Sequence, residues 1–176
     1  MAGFGDRSDV SATSFVNRPP DQVAYVVPDM EKTLAEYSRL FGISDWVGWD
    51  YTGDYLPNRF YKGQPAEYRS LAAVPAYGPR LEVIQPIDGP SVFTTFLEER
   101  GAGLHHLGWF VPSMTEVREW FAARGIEEVM SGSGQGVDGD GEFTYFDTVG
   151  LWGSYAEFIE VPARRFDPHL TWHFDV

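Results

Sequence analysis

Two stretches of the chain share one pattern of apolar and polar positions. Gln22 to Met30 (QVAYVVPDM) reappears as His106 to Met114 (HLGWFVPSM); positions 106 against 22, 112 against 28 and 114 against 30 all give an offset of 84. Each stretch reads as a strand closed by proline and followed by an amphipathic helix. Met30, Leu34, Tyr37 and Phe41 recur at spacings of three and four, as do Met114, Val117 and Phe121, so each set shares one helical face. Both helices run into Gly-Ile, at Gly42 and Gly125, where glycine supplies a left-handed cap. The ends of the halves repeat too: Leu81 to Pro86 (LEVIQP) is similar to Ala156 to Pro162 (AEFIEVP), each a strand ended by proline. Two matches in the same order within each half establish an internal duplication.

The duplication predicts an α+β fold: two tandem βαβββ modules forming an open, curled mixed β-sheet barrel with helices outside. It divides the chain into an N-terminal extension (1–20), a first module with a connecting helix (21–100), a second module (101–162) and a C-terminal tail (163–176). Tyr68 to Val74 and Phe143 to Phe146 predict strands, and Pro90 to Arg100 predicts a short helix ending at Gly101. Trp46 to Tyr61 is polar and aromatic, with turn residues throughout. Ser131 to Glu142, rich in Gly and Asp, predicts a mobile loop. The tail is expected to pack across the domain or a partner subunit, and exposed sheet edges with an aromatic tail predict a homodimer.

Within the repeated strands Gln22 and His106 are equivalent, and so are Glu82 and Glu157. Two such pairs converge at a pseudo-twofold axis and offer one amide oxygen, two carboxylates and one imidazole. That donor set suits a divalent metal ion (Zn, Ni, Co, Mn or Fe) with positions left open for water or substrate. Strand alternation puts Glu160 on the face opposite Glu157 and turns His105 away from His106, as a hydrogen-bonded or core residue. Other motifs are weaker. Gly134 to Gly139 matches G-x-G-x-x-G without the strand and helix that a dinucleotide needs. Asp138 to Glu142 lacks the later glutamate of a calcium loop, and His169 and His173 have helical spacing beside Pro168 in the tail.

Composition narrows the function. The 176 residues carry 13 basic and 26 acidic side chains, a net charge of -13, which repels nucleic acid and anionic membranes. There is no cysteine, hence no disulfide, thiolate ligand or cysteine nucleophile. No run approaches the roughly 20 apolar residues of a membrane span, and Met1 to Pro20 lacks the apolar core of a signal peptide. The expected setting is the cytoplasm.

With these residues in view, the chain resembles the vicinal oxygen chelate superfamily, the glyoxalase/bleomycin-resistance/dioxygenase proteins, over residues 21 to 162. It is most similar to methylmalonyl-CoA epimerase-like members, through Phe96 to Leu107 (FLEERGAGLHHL) and Glu82 to Pro86. The resemblance implies metal ligands on the first and last strands of each module, which fall on Gln22, Glu82, His106 and Glu157. Epimerases of this kind usually carry His first and Gln second; Gln22 followed by Glu82 is closer to the ligand set of glyoxalase I. The resemblance also gives Glu157 a dual role as ligand and base, and by position Glu67 that of a second acid or base.

The implied function is that of a metal-dependent isomerase or epimerase, which stabilises the enolate of a small carbonyl substrate by chelation while carboxylates move the proton. An acyl-CoA substrate would need basic residues, for which Arg59, Lys62, Arg69 and Arg80 are candidates. One alternative is a glyoxalase-like lyase acting on a small oxygenated or aromatic metabolite. Another is a non-catalytic protein that sequesters an aromatic or cationic drug in the same cleft, as the acidic charge and the aromatics would suit.

Overall fold

The computed structural model describes residues 18–78 and 80–176. Residues 1–17 of the expected N-terminal extension lie outside the described residues. In the first half β1 (Gln22–Val26), α1 (Met30–Phe41), β2 (Asp45–Tyr51), β3 (Asn58–Tyr61), β4 (Gln64–Pro65), β5 (Arg69–Pro75) and β6 (Leu81–Asp88) follow one another, and α2 (Val92–Arg100) leads to the second half. There β7 (Gly103–Val111), α3 (Met114–Ala122), β8 (Glu128–Gln135), β9 (Gly141–Phe146), the short α4 (Val149–Trp152) and β10 (Tyr155–Glu160) repeat the plan before β11 (Leu170–His173) in the tail.

The eleven strands among the described residues form one mixed sheet in the order β11-β2-β5-β6-β1-β7-β10-β9-β8-β3-β4. Its centre is the antiparallel pair β1 and β7. Each is flanked by a parallel partner, β6 on one side and β10 on the other. Over the first four strands the order is the same read outward from the centre in either direction, β1-β6-β5-β2 and β7-β10-β9-β8, which is the pseudo-twofold the duplication predicts.

The helices start where the sequence caps them. The Asp29 side chain accepts from Lys32 N–H and the Ser113 side chain from Glu116 N–H. Gly42 closes α1 at φ 70°, and its N–H reaches the Ser38 carbonyl. Met30 and Leu34 bury against Val83, Ala73 and Trp46, while Met114, Val117 and Phe121 bury against Phe146 and Phe158. These are the outward faces of the two halves of the sheet, covered by α1 and α3. The repeat extends to how each helix is fastened: Met30 N–H donates to Gln85 Oε1 and Met114 N–H to Glu160 Oε2, both at 2.8 Å.

The opposite, concave face carries Val26, Ala72, Ile84, Tyr68 and Tyr145, packed with Leu56 and with Phe93 and Phe96 of α2.

Two local expectations are corrected. The Gly-rich stretch 131–142 is not a mobile loop but the end of β8 and the start of β9, joined at 136–140. Its glycines serve close approach: a Cβ at Gly132 would lie 2.7 Å from both Leu56 and Phe143 side-chain atoms. The aromatic stretch 46–61 forms β2 and β3. His169 and His173 lie in extended chain of the tail, as Pro168 implies; His169 Nε2 accepts from Asp50 N–H at 3.0 Å, and His173 pairs with Asp45.

The edges expected to seek a partner subunit are covered from within. β3, from the first half, pairs with β8 of the second, and β11, at the end of the chain, returns to pair with β2. The ends of the sheet are thereby moved to β11 and β4. No helix among the described residues is long and apolar enough to cross a membrane.

Candidate metal centre

The site arises where the four central strands share one face. Ala24 of β1 is aligned with Glu82 of β6 and with His106 of β7; Gln22 is aligned with Gly108, and Gly108 with Glu157 of β10. Ala24 and Gly108 are themselves equivalent in the repeat, and their small size opens the floor between the four larger side chains. A Cβ at Gly108 would stand 3.1 Å from Glu157 Oε2 and 3.3 Å from Gln22 Cβ, so even alanine would crowd the site.

His106 is fully buried. Its Nε2 lies 3.0 Å from Glu157 Oε2 and 3.4 Å from Glu82 Oε2, with Glu157 6% and Glu82 15% exposed. The ligating atoms of Glu82, His106 and Glu157 all lie within 4.8 Å of one another. The alignment of the closest pair is as informative as its distance: His106 Nε2 and Glu157 Oε2 are buried with no hydrogen-bond partner. Two buried polar atoms left unsatisfied beside each other are costly unless something between them accepts both lone pairs. Imidazole nitrogen with two carboxylate oxygens is a donor set that suits a divalent transition metal, so the residues present fit such an ion. Gln22 stands at the rim of this group, where its Nε2 donates to Glu82 Oε2 at 2.6 Å. All four residues come from one chain.

Burial and neighbouring charge act on these side chains in opposite directions. Burial pushes the His106 pKa down, but the charges of Glu157 and Glu82 outweigh it and raise the imidazole to about 9. Burial likewise raises Glu82, reinforced by the Glu157 charge and moderated by His106. In effect a proton on His106 partly balances two carboxylates.

His105 fixes the orientation of His106. A bulge at this point of β7 aligns Ala24 with His106 and Tyr25 with Leu104, skipping His105. The two imidazoles therefore meet, Nδ1 to Nδ1 at 2.9 Å, although simple alternation turns them apart. His105 Nε2 faces the Val92 carbonyl at 3.4 Å. A carbonyl only accepts, and burial followed by the His106 charge holds His105 neutral. His105 thus donates from Nε2 and accepts at Nδ1, so His106 donates from Nδ1 and turns Nε2 toward the carboxylates.

Above the centre lies a cavity of about 580 Å³, within the range of small-molecule sites. Gln22, Glu82 and Glu157 form part of its wall, and Trp49, Tyr51, Phe143 and Tyr145 give it aromatic sides. Tyr145 is aligned with Glu157 across β9 and β10, and its ring lies 5.1 Å from that of His106. Burial, then the charges of the two glutamates, raise the phenols of Tyr51 and Tyr145, so both stay protonated. Tyr51 belongs to the aromatic stretch 46–61, whereas Tyr145 does not stand out in the sequence; pairing the predicted strand 143–146 against Glu157 would have marked it.

The remaining candidates scatter. Glu67 is exposed just before β5 and does not line the cavity. Arg59 is held by the Tyr68 carbonyl, Arg69 pairs with Asp50 and Lys62 sits in an exposed turn, leaving Arg80 as the one predicted cation on the cavity wall. Arg165, unremarked in the sequence, also lines it. Glu160 lies on the opposite face, as alternation requires, and holds the start of α3.

Comparison with known proteins identifies the family and the fold. The sequence profile of the Glyoxalase/Bleomycin resistance protein/Dioxygenase superfamily matches residues 21–146. Among solved structures, methylmalonyl-CoA epimerase from Mycobacterium tuberculosis is similar at TM-score 0.53 and 21% identity, over 82% of this chain and 89% of that one. A hypothetical protein from Bacillus halodurans aligns at 0.55 and 17%, over 84% and 97%. A variant of Streptomyces coelicolor methylmalonyl-CoA epimerase in complex with 2-nitronate-propionyl-CoA aligns at 0.52 and 15%, over 82% and 98%. At these identities the likeness shows the fold. No curated protein matches the sequence.

Proposed function

The chain belongs to the glyoxalase/bleomycin resistance/dioxygenase superfamily, and from that premise we propose that it is a metal-dependent isomerase or epimerase acting on a carbonyl substrate. The observation that carries this reading is the pair of buried, unsatisfied atoms, His106 Nε2 and Glu157 Oε2, at the floor of a cavity large enough for a metabolite. Glu82, His106 and Glu157 would hold a divalent ion, with Gln22 contributing its amide oxygen. The ion supplies Lewis-acid stabilisation of an enolate.

The protein's own groups do the rest. Glu157 takes the proton α to the carbonyl and returns it, its carboxylate lying on the substrate side of the sheet. The Tyr51 hydroxyl, kept protonated, donates a hydrogen bond to the oxygen on which negative charge develops, while the Tyr145 hydroxyl is turned to Glu157. They stand in the cavity where Glu67 does not. Aromatic side walls exclude water from the enolate. The similarity to methylmalonyl-CoA epimerases supports acyl-CoA substrates as the first to try. The aromatic lining favours, as a second reading, a glyoxalase-like lyase for a small aromatic or oxygenated metabolite.

Metal analysis of the purified protein tests the proposal, with His106→Ala and Glu157→Ala alongside. About one transition metal per chain in the wild type, lost in both variants, is expected. The loaded protein should then exchange the α-proton of methylmalonyl-CoA with deuterium from solvent, as followed by NMR. A wild-type protein that cannot be loaded with Zn, Ni, Co, Mn or Fe would overturn the reading and leave a sequestering protein.

A further inference from the structure

The tail builds one wall of the cavity, and it lies beyond the match to the superfamily, which ends at residue 146. From the end of β10 the chain passes the β8–β9 hairpin of the second half and reaches β2 of the first. Residues 162–169 therefore join the two halves along the cavity, and they are fastened at both ends. On the second half the Arg164 carbonyl accepts from Val137 N–H at 2.9 Å, Ala163 N–H donates to Asp140 Oδ2 at 3.0 Å, and Arg164 Nε donates to Asp138 Oδ2 at 2.6 Å. A Cβ at Gly136 would collide with Pro162, so glycine there admits the segment. On the first half Trp49 Nε1 donates to the Phe166 carbonyl at 3.2 Å and His169 N–H to the Gly48 carbonyl at 3.1 Å, before β11 pairs with β2.

Between these fastenings one side chain is drawn in. Of residues 163–169 only Phe166 is not exposed, and it lines the cavity. Tyr55 meets its ring edge-on, with centroids 5.1 Å apart and planes at 82°, and Tyr55 is itself stacked on His169 at 4.8 Å. Trp49 and Tyr55 line the cavity with it. These rings stand away from the reacting end, because β5 separates β2 from β6 and its Glu82. The cations of the lining, Arg80 and Arg165, are already engaged with the ring of Phe110, at 4.7 Å and 5.7 Å. Rings held by hydrogen bonds and by one another are preorganised for a planar group, whose faces and edges they can meet without further ordering. We infer that Phe166 is a specificity-determining residue, and that with Trp49 and Tyr55 it receives an aromatic ring of the substrate, a compact carbonyl compound. The carbonyl end of that compound faces Glu157. This names the substrate class for the site proposed above and rests on the reading of its floor as the reacting end.

Two neutral ketones test the wall without requiring turnover: 4-phenylbutan-2-one and its saturated counterpart 4-cyclohexylbutan-2-one, each titrated into the full chain after chelator treatment. The indole N–H resonance of Trp49, assigned with Trp49→Phe, reports binding at this place. A cavity that reads only apolar area binds the saturated ring at least as well. Recognition by the three rings should make the phenyl ketone bind about fivefold more tightly. Phe166→Leu keeps an apolar side chain in place and should bring the ratio to one or below, whereas Phe166→Tyr should retain the preference; urea denaturation checks that each variant is folded. Tyr55→Leu, which releases the Phe166 ring, should lower the ratio by about twofold, and it decides the matter if Phe166→Leu does not fold. Equal or weaker binding of the phenyl ketone to the wild type overturns the inference. So does a preference that survives both leucine variants. A chain that prefers the phenyl ketone but takes up no metal fails the earlier reading alone. One that loads metal and binds both ketones alike fails this one alone.

Discussion

In the first half of the molecule Gln22 and Glu82 satisfy each other through a 2.6 Å hydrogen bond. In the second half the equivalent residues, His106 and Glu157, lie 3.0 Å apart with neither facing atom in a hydrogen bond. The backbone positions are related by the same pseudo-twofold, so the difference lies in the side chains. An amide can neutralise its carboxylate neighbour's need for a donor while carrying no charge. An imidazole is buried at the same place only if it is protonated or coordinated. Duplication thus supplied four converging positions, and divergence placed the imidazole and the more deeply buried carboxylate on one side.

The largest break in this comparison should come from the second half. His106→Ala or Glu157→Ala is expected to abolish tight metal binding, because each removes a central ligand. Gln22→Ala should weaken affinity by about 10- to 100-fold, the effect of losing a peripheral or supporting partner. Competition with a fluorescent chelator measures all three. Equal losses at Gln22 and His106 would mean that the halves contribute alike.

Those four residues were legible in the sequence because they sit on strands that repeat, where alternation assigns a face without knowledge of the fold. The helices and their caps were legible for the same local reason. What escaped depends on contacts between distant segments. The bulge that brings His105 onto His106 is set by the pairing of β1 with β7. The crossing of β3 to β8 and of β11 to β2 was invisible in stretches whose glycine and aromatic content reads as irregular. Arg165 reaches the cavity only because that crossing carries it there.

A smaller effect separates the halves by pH. In chelator-treated protein the His106 pKa is raised from its ordinary 6.5 to about 9. The folded state therefore binds this proton more tightly than the unfolded chain does. The resulting stability is fully present below about 6.5 and is lost as pH rises through about 9, a loss of up to about 3 kcal/mol. Urea denaturation across that range should show the decline in metal-free wild type and not in His106→Ala. Loading with metal should reverse the trend below neutrality, since coordination needs the neutral imidazole. A metal-free wild type whose stability does not change between pH 6 and 10 would contradict the proton as the stand-in between the two carboxylates.

The smallest expected difference tests whether the asymmetry reaches beyond the cavity. On the outer face the helix starts are fastened in equivalent ways, Met30 N–H to the neutral Gln85 and Met114 N–H to the carboxylate of Glu160. A neutral acceptor contributes about 1 kcal/mol, and an ionised one about 2 kcal/mol. The carboxylate also sits at the positive end of the α3 dipole, an added attraction that salt screens. Gln85→Ala should therefore cost less than Glu160→Ala in urea denaturation, and Glu160→Gln should fall between them. Raising the salt concentration should narrow the gap. Because these side chains lie on the face away from the metal centre, chelator competition should give the wild-type affinity in all three variants. Equal costs at Gln85 and Glu160 would confine the divergence of the halves to the cavity, making the charged anchor of α3 a neutral inheritance of the duplication.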